Sequence, residues 1–364
     1  MKAQQCMIGR SIVDQLNLRK RMTDSTAVIE KLKTVQDPEL HQDIVSLNMV
    51  RDLEINNGEL SFSLILTTPA CPLRETIEKD INEALAGLED IQKIDIDWGA
   101  EVKATQRGDG PEAIKGVRNV IAVASNKGGV GKSTVSVNLA LALAKAGART
   151  GILDADITGP NLPTMLGIEG GLQATGESGL KPVEAHGLKV VSLGFVLPPG
   201  TPVVWRGPMI GSGVKQLMHD VDWGELDYLI VDLPPGTSDA SMTMAQDALI
   251  AGAVIVSTPA KVAVEDARKA VGMFDRLGVP IFGVIENMRG EIFGSGGAED
   301  AADDLGLEFL GAIPLDAEIR KSGDNGQPLL QENQSQIEQV FTSLAEQVAA
   351  RCSVLQFAGE GTSI

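Results

Sequence analysis

Val120-Ile-Ala-Val-Ala-Ser-Asn-Lys-Gly-Gly-Val-Gly-Lys-Ser-Thr134 decides how the rest of the chain is read. An apolar run, Val120–Ala124, feeds a glycine-rich turn, and a helix is expected to start at Lys132. Strand, turn and helix start, in that order, make a phosphate-binding loop. Gly128, Gly129 and Gly131 let backbone N–H groups curl inward, and the helix N-terminus adds free donors and a positive dipole end. Ser125, Asn126, Lys127, Gly128, Gly129, Val130, Gly131, Lys132, Ser133 and Thr134 are therefore the expected ATP contacts. Lys132 is placed to reach the β- and γ-phosphates, and the Ser133 hydroxyl to ligate magnesium. The strict pattern has glycine where this chain has Asn126; asparagine tolerates left-handed dihedrals, so the loop is expected to survive.

Downstream of the loop, apolar runs alternate with helical stretches. Strands are expected at Thr150–Asp154, Leu188–Leu193, Tyr228–Asp232, Ala253–Thr258 and Ile281–Glu286, with helices such as Ser133–Ala146 and Val264–Leu277 between them. Continuous apolar strands separated by helices predict an α/β fold, a doubly wound and mostly parallel sheet covered on both faces. Ligands of such sheets bind at the carboxyl ends of the strands. Asp154 and Asp156 fall at one such end, and alternation points them the same way if the strand continues. Asp156 is the candidate for positioning the attacking water and Asp154 for supporting the magnesium shell. Tyr228-Leu-Ile-Val-Asp232 is an apolar strand ending in a carboxylate, and Asp232 is expected to hold a magnesium-bound water. In the loop after it, Gly236 is expected to give its N–H to the γ-phosphate. Asn287, after another apolar strand, offers a paired donor and acceptor for an adenine edge.

The chain before the loop reads as a separate small α+β unit over residues 26–100. It contains a helix at Thr26–Val35, a hairpin from Met49–Ile55 and Glu59–Thr67 around Asn56-Asn-Gly58, a helix at Leu73–Leu85 and a last strand at Ile91–Ile96. Residues 1–25 read as a disordered extension, with Met22 a second candidate start. Residues 101–116, polar and without periodicity, read as a linker. The large unit then spans 117–352, and 353–364 form a tail.

The 364 residues carry a net charge of −18 and only 3% aromatics. That balance argues against a broad grip on a nucleic-acid backbone and against a base-stacking platform. No apolar run reaches the roughly 18 residues of a membrane helix, and the tail helix Gln336–Arg351 has no basic membrane face. Three scattered cysteines, Cys6, Cys71 and Cys352, make no disulfide framework, which fits the cytoplasm. Cys71, beside Pro72 at a helix start, is a candidate reactive thiol.

Taken together, Lys127-Gly-Gly-Val-Gly-Lys-Ser133, Leu153-Asp-Ala-Asp-Ile-Thr-Gly-Pro-Asn161, Trp205-Arg-Gly-Pro-Met209, Val231-Asp-Leu-Pro-Pro-Gly-Thr237, Glu286-Asn-Met288 and Ile313-Pro-Leu-Asp316 resemble the Mrp/ApbC family of ATPases. Asp37-Pro-Glu39 and Thr68-Pro-Ala-Cys-Pro72 resemble the small domain often fused to it. The resemblance implies a magnesium-dependent ATP hydrolase, slow and dimer-dependent, in which Lys127 works on the partner's nucleotide and Asn287 contacts adenine. It implies a cytosolic homodimer that assembles or carries iron–sulfur clusters for client apo-proteins or other assembly factors. Family members that carry a [4Fe–4S] cluster place a cysteine pair soon after the Glu-Asn-Met segment. Here Met288-Arg-Gly-Glu-Ile-Phe-Gly294 runs straight into Ser295-Gly-Gly297, and the pair is missing. A cluster-independent, ATP-driven chaperone and a partition or positioning ATPase switch are the alternatives; a small-molecule kinase would need an acceptor site and a lid that no segment supplies.

Overall fold

The computed structural model describes residues 24–88, 90–106, 110–156, 159–175, 179–195, 207–236, 239–330 and 335–359. The expected extension at 1–25 lies outside them up to residue 23, as do Cys6, Trp205 and Thr237. Two compact units emerge, one from the N-terminal residues and Leu73–Glu101, the other from Thr68–Pro72 and Val102 onward.

In the smaller unit, α1 (Ser25–Leu32) starts where the Asp24 carboxylate accepts the Ala27 N–H at 2.8 Å, and it buries Val28 and Leu32. Strands β1 (Val50–Asn56) and β2 (Glu59–Leu66) pair antiparallel, and β3 (Lys93–Ala100) lies parallel to β2. Leu60, Phe62, Leu64 and Leu66 alternate inward along β2, so the period of two persists through the whole strand. Helix α2 (Arg74–Leu85) buries Ile77, Ile81 and Leu85, which recur every four residues on one face.

The larger unit is built on strands β4 (Val117–Ala124), β5 (Thr150–Asp154), β6 (Val183–Ala185), β7 (Leu188–Ser192), β8 (Leu226–Asp232), β9 (Ile250–Ser257), β10 (Ile281–Arg289) and β11 (Phe309–Pro314). Their order in the sheet is β6-β7-β5-β8-β4-β9-β10-β11, and every pairing except β6 with β7 is parallel. The expected doubly wound parallel sheet is present. Helices α3 (Lys132–Lys145) and α10 (Gln336–Gly359) help cover one face through Leu139, Leu143, Phe341 and Val348. Helices α5 (Gly207–His219), α6 (Asp239–Asp247), α7 (Lys261–Arg276) and α8 (Gly297–Leu305) contribute to the other core layer, around Val214, Met244, Phe274 and Ala302. The short α4 (Leu162–Met165) and α9 (Ala317–Asn325) follow the ends of β5 and β11.

Several sequence boundaries need correction. The stretch 101–116 is no free linker: Val102 and Ile114 are buried in the larger unit, and the Glu112 carbonyl accepts the Leu249 N–H at 3.0 Å. Thr68–Pro72 belongs with the larger unit rather than the smaller. Its Ala70 enters that core, and Thr68 Oγ1 accepts the Tyr228 hydroxyl at 3.0 Å. No tail begins at 353, because α10 continues to Gly359 and keeps Ser353 buried. Strand β11 was not expected at all.

Candidate active site

Strands β4, β5 and β8 are adjacent, so their carboxyl ends bring the phosphate loop, Asp154 and Asp232 together. Register places Asp232 opposite both Val123 and Asp154. Above them lies a cavity of about 500 Å³. Ser125, Lys127 and Gly128–Thr134 form its floor, and Asp156 and Pro235 stand at its side.

Beneath the floor is a buried polar cluster. Lys132 Nζ donates to Asp232 Oδ1 at 2.6 Å, and Ser133 Oγ donates to Asp232 Oδ2 at 2.6 Å. Lys132 is only 6% exposed and Asp232 fully buried. Ser136, one turn further along α3, sits 2.7 Å from the same Asp232 Oδ1. Ser136 was not a sequence candidate; its spacing of three from Ser133 was the available signal. For Lys132 to grip a phosphate it must exchange its partner in the Asp232 carboxylate for the incoming anion.

Asp154 is buried beside this cluster rather than exposed to the cavity. Its Oδ2 accepts Ser192 Oγ at 3.0 Å and the Leu162 N–H at 3.3 Å, and its Oδ1 accepts the Asp156 N–H at 3.2 Å. Burial first, and then the neighbouring Asp232 charge, push Asp154 up to about 7. Strand β5 ends at Asp154, so Asp156 reaches the cavity from a turn and not by strand alternation. Ser192, at the end of β7, is a second residue the sequence did not flag.

Two expected roles meet different partners. The Gly236 N–H is donated to the Ser125 carbonyl at 3.0 Å, so it is not directed at a γ-phosphate. Pro235 is the residue of that loop that lines the cavity. Asn287 lines the cavity, where an adenine contact was expected, and its Nδ2 donates to the Val130 carbonyl at 2.8 Å and so clasps the phosphate loop. Gly131 has φ of 83°, and a Cβ there would fall 2.1 Å from Asn287 Nδ2, so the position requires glycine twice over. Asn126 does not use a left-handed conformation; in the loop Gly129 and Gly131 do.

The far wall of the cavity comes from α4 and α9: Thr164 and Met165 on one, Ile319, Arg320 and Asp324 on the other, with Pro314–Asp316 leading in. Asp316 caps α9 by accepting the Glu318 N–H at 2.6 Å. The two helices abut where a Cβ on Gly326 would lie 2.4 Å from Gly167 Cα. The cavity is thus long enough to hold more than a phosphate chain.

Cys71 and Cys352 lie at the other end of the sheet. The Thr68–Pro72 loop meets Tyr228, the third residue of β8, four positions before Asp232. Cys352 is buried against Gln356, which reaches Asn119 near the start of β4. Burial pushes the Cys352 thiol up to about 12.

Known proteins share this organisation. The family described as NUBPL iron-transfer P-loop NTPase matches residues 116–349, and a second, described as iron–sulfur cluster assembly protein, matches residues 25–98. The chain belongs to the P-loop NTPase family of iron transfer. Among the relatives, an iron–sulfur cluster carrier protein of Synechocystis is 45% identical over 92% of this chain and 99% of its own length. One of the same description from Deinococcus radiodurans is 43% identical over 90% of this chain and 95% of its own. A nucleotide-binding protein from Archaeoglobus fulgidus, solved with ADP, is 40% identical, covers 59% of this chain and 88% of its own, and superposes with a TM-score of 0.52. As a family member the chain is a nucleotide-binding P-loop protein. Among its described residues no helix is long and apolar enough to cross a membrane.

Proposed function

We propose that this chain is a magnesium-dependent ATPase of the cytoplasm that hydrolyses ATP slowly as a homodimer and drives iron–sulfur cluster assembly on client apo-proteins or assembly factors. The observation that carries the reading is the single cavity in which the phosphate loop, Lys127 and Asp156 converge above the Lys132–Ser133–Asp232 cluster. Ser133 and Asp232 offer hard oxygen donors of the kind magnesium takes, with Asp154 behind them. An ion held by these residues would offset the negative charge of the phosphates during transfer. Asp156 orients a water toward the γ-phosphorus; the new P–O bond forms from that water as the bond to the β-bridging oxygen breaks. ADP departs with the electron pair, and the water's proton passes to phosphate. Lys127 of the second copy neutralises charge on the departing oxygens, in the manner of an arginine finger.

The cluster is cargo, and the residues described do not fit a resident one. No group of three or more His, Cys, Asp or Glu among them could hold a metal ion. The buried Cys352 is held as a thiol. The ATP cycle is therefore read as acting on partners and not on a cluster ligated at the nucleotide end. Phosphate release with magnesium, with EDTA, and from Lys127→Ala tests the enzyme reading: hydrolysis lost in the last two supports it, and a fully active Lys127→Ala removes the trans lysine. Anaerobic reconstitution with iron and sulfide tests the cargo reading, which a stable [4Fe–4S] spectrum abolished by Cys71→Ala would overturn.

A further inference from the structure

The main chain of Asp232 is fixed, but its carboxylate is not aimed by those bonds. The end of β8 pairs with Val123 on one side and Asp154 on the other, and the Asp232 carbonyl accepts the Ala155 N–H at 2.9 Å. What remains free is rotation of the carboxylate about its own side-chain bonds. A carboxylate that holds a cation, or a cation's water, must present an oxygen in one direction, so a neighbour has to fix that rotation.

Among the described residues, three side chains donate to this carboxylate, and two of them are needed elsewhere. Lys132 Nζ donates to Oδ1 at 2.6 Å, but a phosphate chain draws the same ammonium away. Ser133 Oγ donates its one proton to Oδ2 at 2.6 Å and keeps its lone pairs for a cation. Ser136 has no such second task. It is fully buried, it follows Lys132 by one turn of α3, and its Oγ lies 2.7 Å from Oδ1. The Lys132 carbonyl, 3.0 Å away, is its other acceptor; the closer, charged oxygen is the stronger of the two. The serine side chain is short and rides on a helix packed into the core through Leu139 and Leu143, so it stays in place when the long Lys132 side chain turns. A donor on Oδ1 matters the more because Asp154 puts a second buried carboxyl opposite it on the adjacent strand.

We infer that Ser136 is a positioning residue: it holds the Asp232 carboxylate in orientation for magnesium once Lys132 has moved to the phosphates. The inference rests on the reading of this cavity as a magnesium–ATP site, and it adds a residue that acts there only through Asp232. Loss of the Ser136 hydroxyl then has unequal consequences. With Lys132 on Oδ1, it removes one of two donors to that oxygen. With Lys132 on a phosphate, it removes the remaining one and leaves a buried anionic oxygen unpaired, free to turn toward another donor. Folding loses a hydrogen bond, whereas magnesium-linked nucleotide binding also loses the orientation of its carboxylate.

The test is the affinity of the full chain for a fluorescent, non-hydrolysable ATP analogue, measured with magnesium and with EDTA for wild type, Ser136→Ala and Ser136→Thr, beside a thermal melt of each. Both conditions require Lys132 to leave Asp232, so the ratio of the two affinities isolates the metal. Ser136→Ala should lower that ratio at least about ten-fold, the low end of what a hydrogen bond to a charged group contributes. Ser136→Thr should keep the ratio within about two-fold of wild type, since a helical threonine can place its hydroxyl over the preceding turn as serine does. A residue that only supports folding would lower the melting temperature of Ser136→Ala and leave its ratio unchanged, and that result would overturn the inference. So would a Ser136→Thr that melts like wild type and has the low ratio of Ser136→Ala. A wild type that binds the analogue equally with magnesium and with EDTA would overturn the magnesium–ATP reading itself, a failure distinct from that of Ser136.

Discussion

Replacing Asp154 by asparagine should change how stability depends on pH. The wild-type carboxyl is buried beside Asp232 and is pushed up from 3.8 to about 7. The folded state therefore binds a proton that the unfolded chain has released between those values. Stability must fall as pH rises through this window, because the native state holds more protons there. Linkage makes the cost of this group larger at pH 8 than at pH 5, by on the order of a few kcal/mol. Asparagine has no such titration and can still accept from Ser192 and the Leu162 N–H. Guanidinium unfolding of wild type and Asp154→Asn at pH 5 and pH 8 gives the double difference directly. The variant should gain on the order of a few kcal/mol relative to wild type on going from pH 5 to pH 8. Parallel pH profiles for the two proteins would refute the argument that Asp154 is an excess buried carboxylate in the Lys132–Asp232 cluster.

Other outcomes follow from the same contacts. Gly131→Ala should abolish ATP binding, measured by a fluorescent analogue, since its Cβ would collide with Asn287 in a left-handed backbone. Ser136→Ala removes one hydroxyl from the Asp232 carboxylate and should lower stability by about 1.5–3 kcal/mol, the usual worth of a hydrogen bond to a charged group, read by denaturant unfolding. Cys352 should resist a thiol reagent until the chain unfolds, because it is buried and its pKa is pushed up to about 12. Cys71→Ala should leave the ATPase rate within about two-fold of wild type, as Thr68–Pro72 meets the amino end of β8 and not the carboxyl end.

The phosphate loop made the fold legible because its residues are contiguous: a strand, a turn and a helix start can be read from fifteen neighbours in sequence. Strand β11 was not legible for the opposite reason. Phe309-Leu-Gly-Ala-Ile-Pro314 is short and carries a glycine and a proline, and only its pairing with β10 makes it a strand. The carboxylates were visible as strand ends, but their partners were not. Lys132 and Asp232 are 100 positions apart and meet only through the register of β8 with β4. Gly236 shows the limit of reading a loop by type, since the direction of its N–H is set by the Ser125 carbonyl. The 101–116 stretch misled because it is polar between Val102 and Ile114, the two residues that pin it down.

The central claim is that Lys127 completes a neighbour's site, and mixing two inactive variants tests it most directly. Lys127→Ala keeps its own Asp156, and Asp156→Ala keeps a Lys127 to lend. If Lys127 acts across the dimer, the mixed dimer holds one complete site. An equimolar mixture should then regain about a quarter of wild-type ATPase activity, since half the dimers are mixed and each has one working site of two. A mixture as inactive as its separate components, with exchange of protomers shown to be complete, would contradict the account.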